Sequence, residues 1–230
     1  MKKYYEAYDE RYKKFHTEEK ISWADENPSK IILDLLLKYG ANNNSKILEI
    51  GCGEGQNAIY LMKNGLNITA TDVSPEAINW CKNQAKESKV DINNFFVLDA
   101  IENNLTLKYD YIYAISTLHI LVKDEDRHNF LTFISSHLKN NGKAIISIMG
   151  DGIHEKNNSD ITKSFNLSER KFNGKLVQVA TTSCRIVNWG NFQHQLINGK
   201  LSIIEKFNTA EISGFNNSMV VVCEKSNRFN

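Results

Sequence analysis

The 230-residue chain predicts an α/β fold: a doubly wound, mostly parallel sheet with helices on both faces. Short, nearly unbroken apolar runs alternate with amphipathic segments of helix length between residues 28 and 150, and strands lacking a polar face must be covered on both sides. The last two apolar runs, Leu201 to Ile204 and Met219 to Cys223, have no helix-length segment between them. They are expected to form an antiparallel pair at the sheet edge.

Before the alternation begins, Tyr4, Tyr5, Tyr8, Tyr12, Phe15 and Trp23 mark a charged, aromatic segment that reads as a helical cap packed on the domain. Asn27-Pro28 reads as N-cap and first residue of a helix carrying Ile31, Ile32, Leu35 and Leu36 and stopped by Gly40. Lys46 to Ile50 is the first strand, followed by a glycine-rich turn and a helix with Ala58, Leu61 and Met62. Asn67 to Thr71 is the second strand, Asp72-Val73 turns, and Ser74-Pro75-Glu76 opens a helix carrying Ala77, Ile78, Cys81 and Ala85. Phe95 to Leu98 and Tyr111 to Ile115 are the third and fourth strands. A helix after Asp124 leads to Gly142 and the strand Ala144 to Ile148. Beyond Gly150 the pattern changes: Gly152 to Ser168 is polar and irregular, and Leu176 to Val187 reads as extended chain. A single domain over 1–230 is the economical organisation, with a cap at 1–27, a core at 28–150, and an inserted loop region with edge strands at 151–230.

Lys and Arg number 28 against 27 Asp and Glu, a formal charge of +1, so no electrostatic surplus draws the chain to nucleic acid or anionic lipid. No apolar run has the length that spans a bilayer, and an acidic, aromatic stretch follows Met1-Lys2-Lys3 where an export signal needs an apolar region. A soluble, cytoplasmic protein is expected. Cys52, Cys81, Cys184 and Cys223 form no Cys-x-x-Cys pair and have no His at ligand spacing, which disfavours a disulfide framework and a zinc site. No carboxylate and His cluster recommends a catalytic metal.

The most informative segment is Leu48-Glu49-Ile50-Gly51-Cys52-Gly53-Glu54-Gly55-Gln56-Asn57, where strand turns into helix. Three glycines at alternate positions let a ligand approach the backbone closely. Cys52 between them reads as a small buried residue without chemistry of its own. Asp72 ends the second strand, where a carboxylate can accept both hydroxyls of a ribose; its plainer role is to help start the next helix. His119 is the titratable side chain near the end of the fourth strand. It reads either as a packed or capping histidine or as a proton acceptor.

A dinucleotide site prefers Gly-x-Gly-x-x-Gly, and here the third glycine comes one place early. That spacing, with Glu49 before it, resembles the first motif of class I S-adenosylmethionine-dependent methyltransferases. The resemblance runs from about Ile31 to Met149 and implies a Rossmann-like, seven-stranded sheet that binds S-adenosyl-L-methionine and releases S-adenosyl-L-homocysteine. It implies that Asp72 and Val73 meet the ribose, and that Asp99 meets the adenine amino group while the amides of Ala100 and Ile101 read the ring. It also implies that Tyr109 to Ser116 ends beside the methionine part, so Ser116 borders the reacting centre. The segment lacks the Asn/Asp-Pro-Pro-Tyr pattern of enzymes that methylate exocyclic amines of nucleic acid bases or glutamine amides, which leaves a small-molecule acceptor as the expectation. The N-terminal arrangement is similar to the cap of the tellurite-resistance and thiopurine S-methyltransferase neighbourhood, which implies cofactor contacts from Arg11 and Trp23. Trp189 reads as a core tryptophan or as a wall of the acceptor pocket. A nicotinamide-dependent oxidoreductase and a non-catalytic adenosine-ligand binder are the alternatives.

Overall fold

A computed structural model describes residues 2–19, 22, 27–158, 160–172 and 175–226. The chain enters through Ala7–Lys13 (α1), which widens into a π-helical stretch over Lys14–Glu19. Ile31–Lys38 (α2) then leads to Lys46–Ile50 (β1), four of whose five residues are buried. Gln56–Lys63 (α3), Asn67–Asp72 (β2), Pro75–Glu87 (α4), Phe95–Val97 (β3), Tyr109–Ile115 (β4), Asp124–His137 (α5) and Leu138–Met149 (β5) complete the alternation. Parallel pairing joins β1 to β2 and β4, β2 to β3, and β4 to β5.

The chain next adds two short ribbons: Lys156–Asn158 (β6) with Cys184–Ile186 (β9), and Leu167–Phe172 (β7) with Lys175–Ala180 (β8). After Trp189–Asn198 (α6), Leu201–Thr209 (β10) and Ser218–Lys225 (β11) finish a seven-stranded sheet of order β10-β11-β5-β4-β1-β2-β3. β11 runs antiparallel to both β5 and β10, the edge pair expected from the sequence. One apolar cluster joins β1, β4 and β5 to Phe130 and Ile134 of α5 and to Phe192 and Leu196 of α6. The other packs Leu36 of α2, Leu61 of α3 and Ile78 of α4 on the opposite face. The sheet is therefore doubly wound, and its long apolar strands are buried from both sides.

Three details differ from the expectation. α2 begins at Ile31, not at Asn27-Pro28, because tertiary bonds hold Ser29: its N–H donates to Asn57 Oδ1 at 2.9 Å and its hydroxyl accepts the Ser213 N–H at 3.0 Å. α6 was not anticipated, although Asn188 caps it by accepting the Asn191 N–H at 2.9 Å and Gly199 ends it. The polar stretch after Gly152 contains β6 and the first residues of β7, whose chain lacks the alternation of a half-buried strand. Phe15 at the end of the cap packs on Phe172 with ring centroids 4.9 Å apart, and Val177 and Val179 of β8 close this small separate cluster. Among the described residues no helix is long and apolar enough to cross a membrane.

Candidate functional site

The carboxyl ends of β1, β2 and β4, roofed by the cap and the ribbons, enclose a cavity of about 730 Å³, within the range of about 300–1,000 Å³ of small-molecule sites. One wall is the glycine turn. Gly51 has φ +74°, and a Cβ there would lie 2.3 Å from Thr117 Oγ1, so only glycine lets the turn pass under the loop after β4. Gly55 caps α3 at φ +88°, and its absent Cβ would lie 2.9 Å from Cys81 Sγ. Gly51, Cys52, Gly53 and Asn57 line the cavity, whereas Glu49 and Gly55 stand behind its wall. Glu49 is 1% exposed and accepts from Tyr113 Oη at 2.9 Å. Burial pushes its carboxyl up to about 8, and bonds from Tyr113, Asn57 and the Ala58 N–H oppose that rise.

Asp72 ends β2 at the edge of the same turn. Its Oδ2 accepts the Gly53 N–H and its Oδ1 the Ser74 N–H, each at 2.9 Å, so the carboxylate is fixed from two sides. Burial raises its pKa while these backbone donors pull it down. A carboxylate offers about four lone-pair positions, leaving acceptor capacity on both oxygens for a vicinal diol. Val73, Asp99, Ala100 and Ile101 continue this wall. Asp99 is already engaged: Lys3 Nζ at 2.7 Å and Tyr5 Oη at 2.9 Å donate to Oδ2, and the Ile101 N–H donates to Oδ1. An amide expected to read an adenine ring is thus turned back onto the carboxylate.

Ser116 follows β4 with φ +55°, unusual for a residue other than glycine, and its buried hydroxyl has no hydrogen-bond partner among the described residues. Strain and an orphaned polar atom on a cavity wall are together a mark of a ligand site. His119 is buried, its ring edge-on to Phe215, and its Nδ1 accepts the Met149 N–H at 3.4 Å. Desolvation, aided by the charge of Arg127, holds it down to about 4, so the ring is neutral near pH 7. A neutral ring that accepts at Nδ1 carries its proton on Nε2. In this tautomer His119 offers a donor, not a lone pair, and is a weaker base than its residue type suggests.

The cap closes over the turn. Tyr5, Tyr8, Arg11 and Tyr12 line the cavity. Arg11 is 4% exposed, donates through Nη2 to the Ala180 carbonyl at 2.7 Å, and lies over the Tyr8 ring at 5.2 Å. His16 sets its ring nitrogens 2.7 Å from Glu54 and 3.0 Å from Glu76 and stacks on Trp80 at 4.0 Å, clasping cap, glycine turn and α4 together. Trp23 lies outside the described residues. Trp189 is not on the cavity wall; it packs against the core at the start of α6, with Nε1 donating to Asn208 at 3.0 Å. Sequence reading missed Lys156 and Arg170, which line the cavity from β6 and β7. No local signal marks them, since both sit in polar chain that only folding brings over the sheet.

Residues 48–144 match the methyltransferase domain family. The matched segment is less than half of the chain. It runs from within β1 to within β5 and holds the glycine turn, Asp72, Asp99 and His119. The ubiquinone biosynthesis O-methyltransferase of Rickettsia felis is 32% identical over 118 residues, 51% of this chain and 46% of that protein, so the chain spans about half the length of that relative. A glycopeptide N-methyltransferase, MtfA, solved with S-adenosyl-L-methionine, superposes with a TM-score of 0.65 at 14% identity over 88% of this chain and 95% of its own. A TehB-like S-adenosylmethionine-dependent methyltransferase from Corynebacterium glutamicum superposes with a TM-score of 0.59 at 19% identity over 96% and 98% of the two chains. The chain thus carries this Rossmann-like fold across nearly its whole length.

Proposed function

We propose that this protein transfers the methyl group of S-adenosyl-L-methionine to sulfur, oxygen or nitrogen of a small-molecule acceptor. One observation carries the reading: Asp72, pinned by the Gly53 and Ser74 amides, borders a cavity of about 730 Å³ beside a turn in which Gly51 leaves no room for a side chain. Asp72 would take the ribose, the strand end at Ser116 the methionine part, and Arg11 with the rest of the cap the outer face. The cofactor supplies a methyl group on a sulfonium, whose carbon–sulfur electron pair stays with sulfur as the acceptor's lone pair forms the new bond. The chain's own part is alignment and exclusion of water. His119, neutral and protonated at Nε2, would position the acceptor by donating to it, and the acceptor's proton passes to water.

The nicotinamide reading fares worse at one point. Glu54 lies in the turn at 1% exposure and Glu49 lies behind it, so a pyrophosphate at the N-terminus of α3 would face two carboxyl groups. Thermal shift separates the two readings: S-adenosyl-L-homocysteine should raise the melting temperature and NADH should not. Stabilisation by NADH alone would reject the proposal. Methyl-labelled cofactor and a panel of thiols, phenols and amines then separate an enzyme, which labels at least one of them, from a non-catalytic adenosine-ligand binder.

A further inference from the structure

We infer that the methyl acceptor is a small organic anion, an apolar body bearing a carboxylate-type group that Lys156 and Arg170 hold. The inference rests on the methyltransferase reading above and assigns the part of the same cavity that the ribbons line. Charge is divided along that cavity. The acidic lining residues, Glu54, Asp72 and Asp99, all stand at the glycine turn and the ends of β2 and β3, and each already receives donors from the protein. Lys156 and Arg170 stand on the ribbons, and their side chains make no ion pair or hydrogen bond with any described residue. Two other cations of the same insertion are paired, Arg185 with Asp124 at 2.5 Å and Lys163 with Asp160 at 2.8 Å.

Arg170 also lies near enough to Arg11 for the two positive charges to repel. Cations gathered on a cavity wall without a carboxylate make a site for an anion. The same lining carries apolar surface from Ile120, Leu121, Met149, Ile186 and Phe215, beside the smaller Thr182, Ser183 and Cys184. A bare inorganic oxyanion would leave that surface unfilled, and a neutral apolar compound would gain nothing from the charges of Lys156 and Arg170. An apolar body with an anionic end satisfies both.

The test uses 2-mercaptobenzoate, 4-hydroxybenzoate and 3-aminobenzoate, each against its carboxamide. Calorimetric binding is measured on protein saturated with S-adenosyl-L-homocysteine, and methyl transfer is measured with labelled cofactor. At least one carboxylate should bind, and be methylated, better than its amide by about tenfold. In Lys156→Gln/Arg170→Gln that preference should shrink to under about threefold while affinity for S-adenosyl-L-homocysteine stays within about twofold. Both side chains are exposed, so the variant should keep the wild-type melting temperature. If the variant fails to fold, the carboxylate preference of the wild type decides alone. Equal or better binding of the amides, or no binding by any carboxylate, overturns the inference. A tenfold loss of S-adenosyl-L-homocysteine affinity in a folded variant also overturns it, by assigning these cations to the cofactor's carboxylate. Failure of the wild type to bind S-adenosyl-L-homocysteine is a different result and removes the methyltransferase reading itself.

Discussion

Asp72 holds two backbone donors and faces the cavity, so its charge serves ligand and turn together. Asp72→Asn keeps the size and one acceptor but loses a charged acceptor for the ribose. Calorimetry should show S-adenosyl-L-homocysteine bound more weakly by about 1.5 to 3 kcal/mol, with unchanged circular dichroism. Unchanged affinity would mean the sugar sits elsewhere. Glu49 makes a second residue-scale case. Its carboxyl titrates at about 8 in the folded chain and near 4.3 in an unfolded one, roughly the free carboxyl value. The folded state therefore holds a proton that the unfolded state has lost. The associated stability is complete below the unfolded pKa and is lost as pH rises through about 8. Glu49→Gln should gain on the wild type by up to about 1.4 kcal/mol per pH unit across that window, read from urea melts at several pH values. Parallel curves for the two proteins would refute the assignment. His119, held down to about 4, should leave no inflection in the rate profile in the usual histidine range near pH 6.5. One that vanishes in His119→Gln would restore it as a base.

At the scale of elements, the sequence spelled out those whose local chemistry and tertiary role agree. β1, β2 and β5 end in or before glycine or aspartate, β4 is an apolar run that ends before Ser116, and Ser74-Pro75 starts α4 with Ser74 Oγ accepting the Ala77 N–H at 3.0 Å. It misled where tertiary bonds override local signals, as at Asn27-Pro28, where Ser29 is tied to Asn57 and Ser213. α6 was hidden because its buried face rests on only Phe192 and Leu196, too few positions for periodicity to stand out from the polar chain before it. The glycine turn was legible as glycine, but its reason was not: Thr117 and Cys81, distant in sequence, fill the space a Cβ would need. Gly51→Ala should lower the urea midpoint without changing the slope, at a cost above about 1 kcal/mol from the positive φ and the contact with Thr117. Gly51→Ala/Thr117→Ala should recover the steric part and leave the backbone part. Wild-type stability in the single variant would show that the turn has slack.

Across the whole molecule, the floor of the cavity could be read from the sequence because its residues sit at strand ends, in order along the chain. The roof could not, since β6 to β9 and the cap meet over the sheet only through folding. Among the contacts that join these distant segments are Arg11 donating to the Ala180 carbonyl at 2.7 Å and Phe15 packing against Phe172 at 4.9 Å. They make the cap and the β7–β8 ribbon one roof over a floor supplied by the sheet. A ligand gripped by floor and roof together should tighten both. S-adenosyl-L-homocysteine at about a hundred times its dissociation constant should stabilise the fold by about 2.7 kcal/mol. Amide exchange should then slow at 50–57 and 72–74 in the floor, and also at 5–16 and 176–180 in the roof. In Phe15→Ala, which removes the core of the cap–ribbon cluster, the floor should still gain protection from the ligand while the roof gains little, and ligand release should quicken. Protection confined to the floor in the wild type would show that cap and ribbon do not close on the cofactor, and that Arg11 serves only to join them.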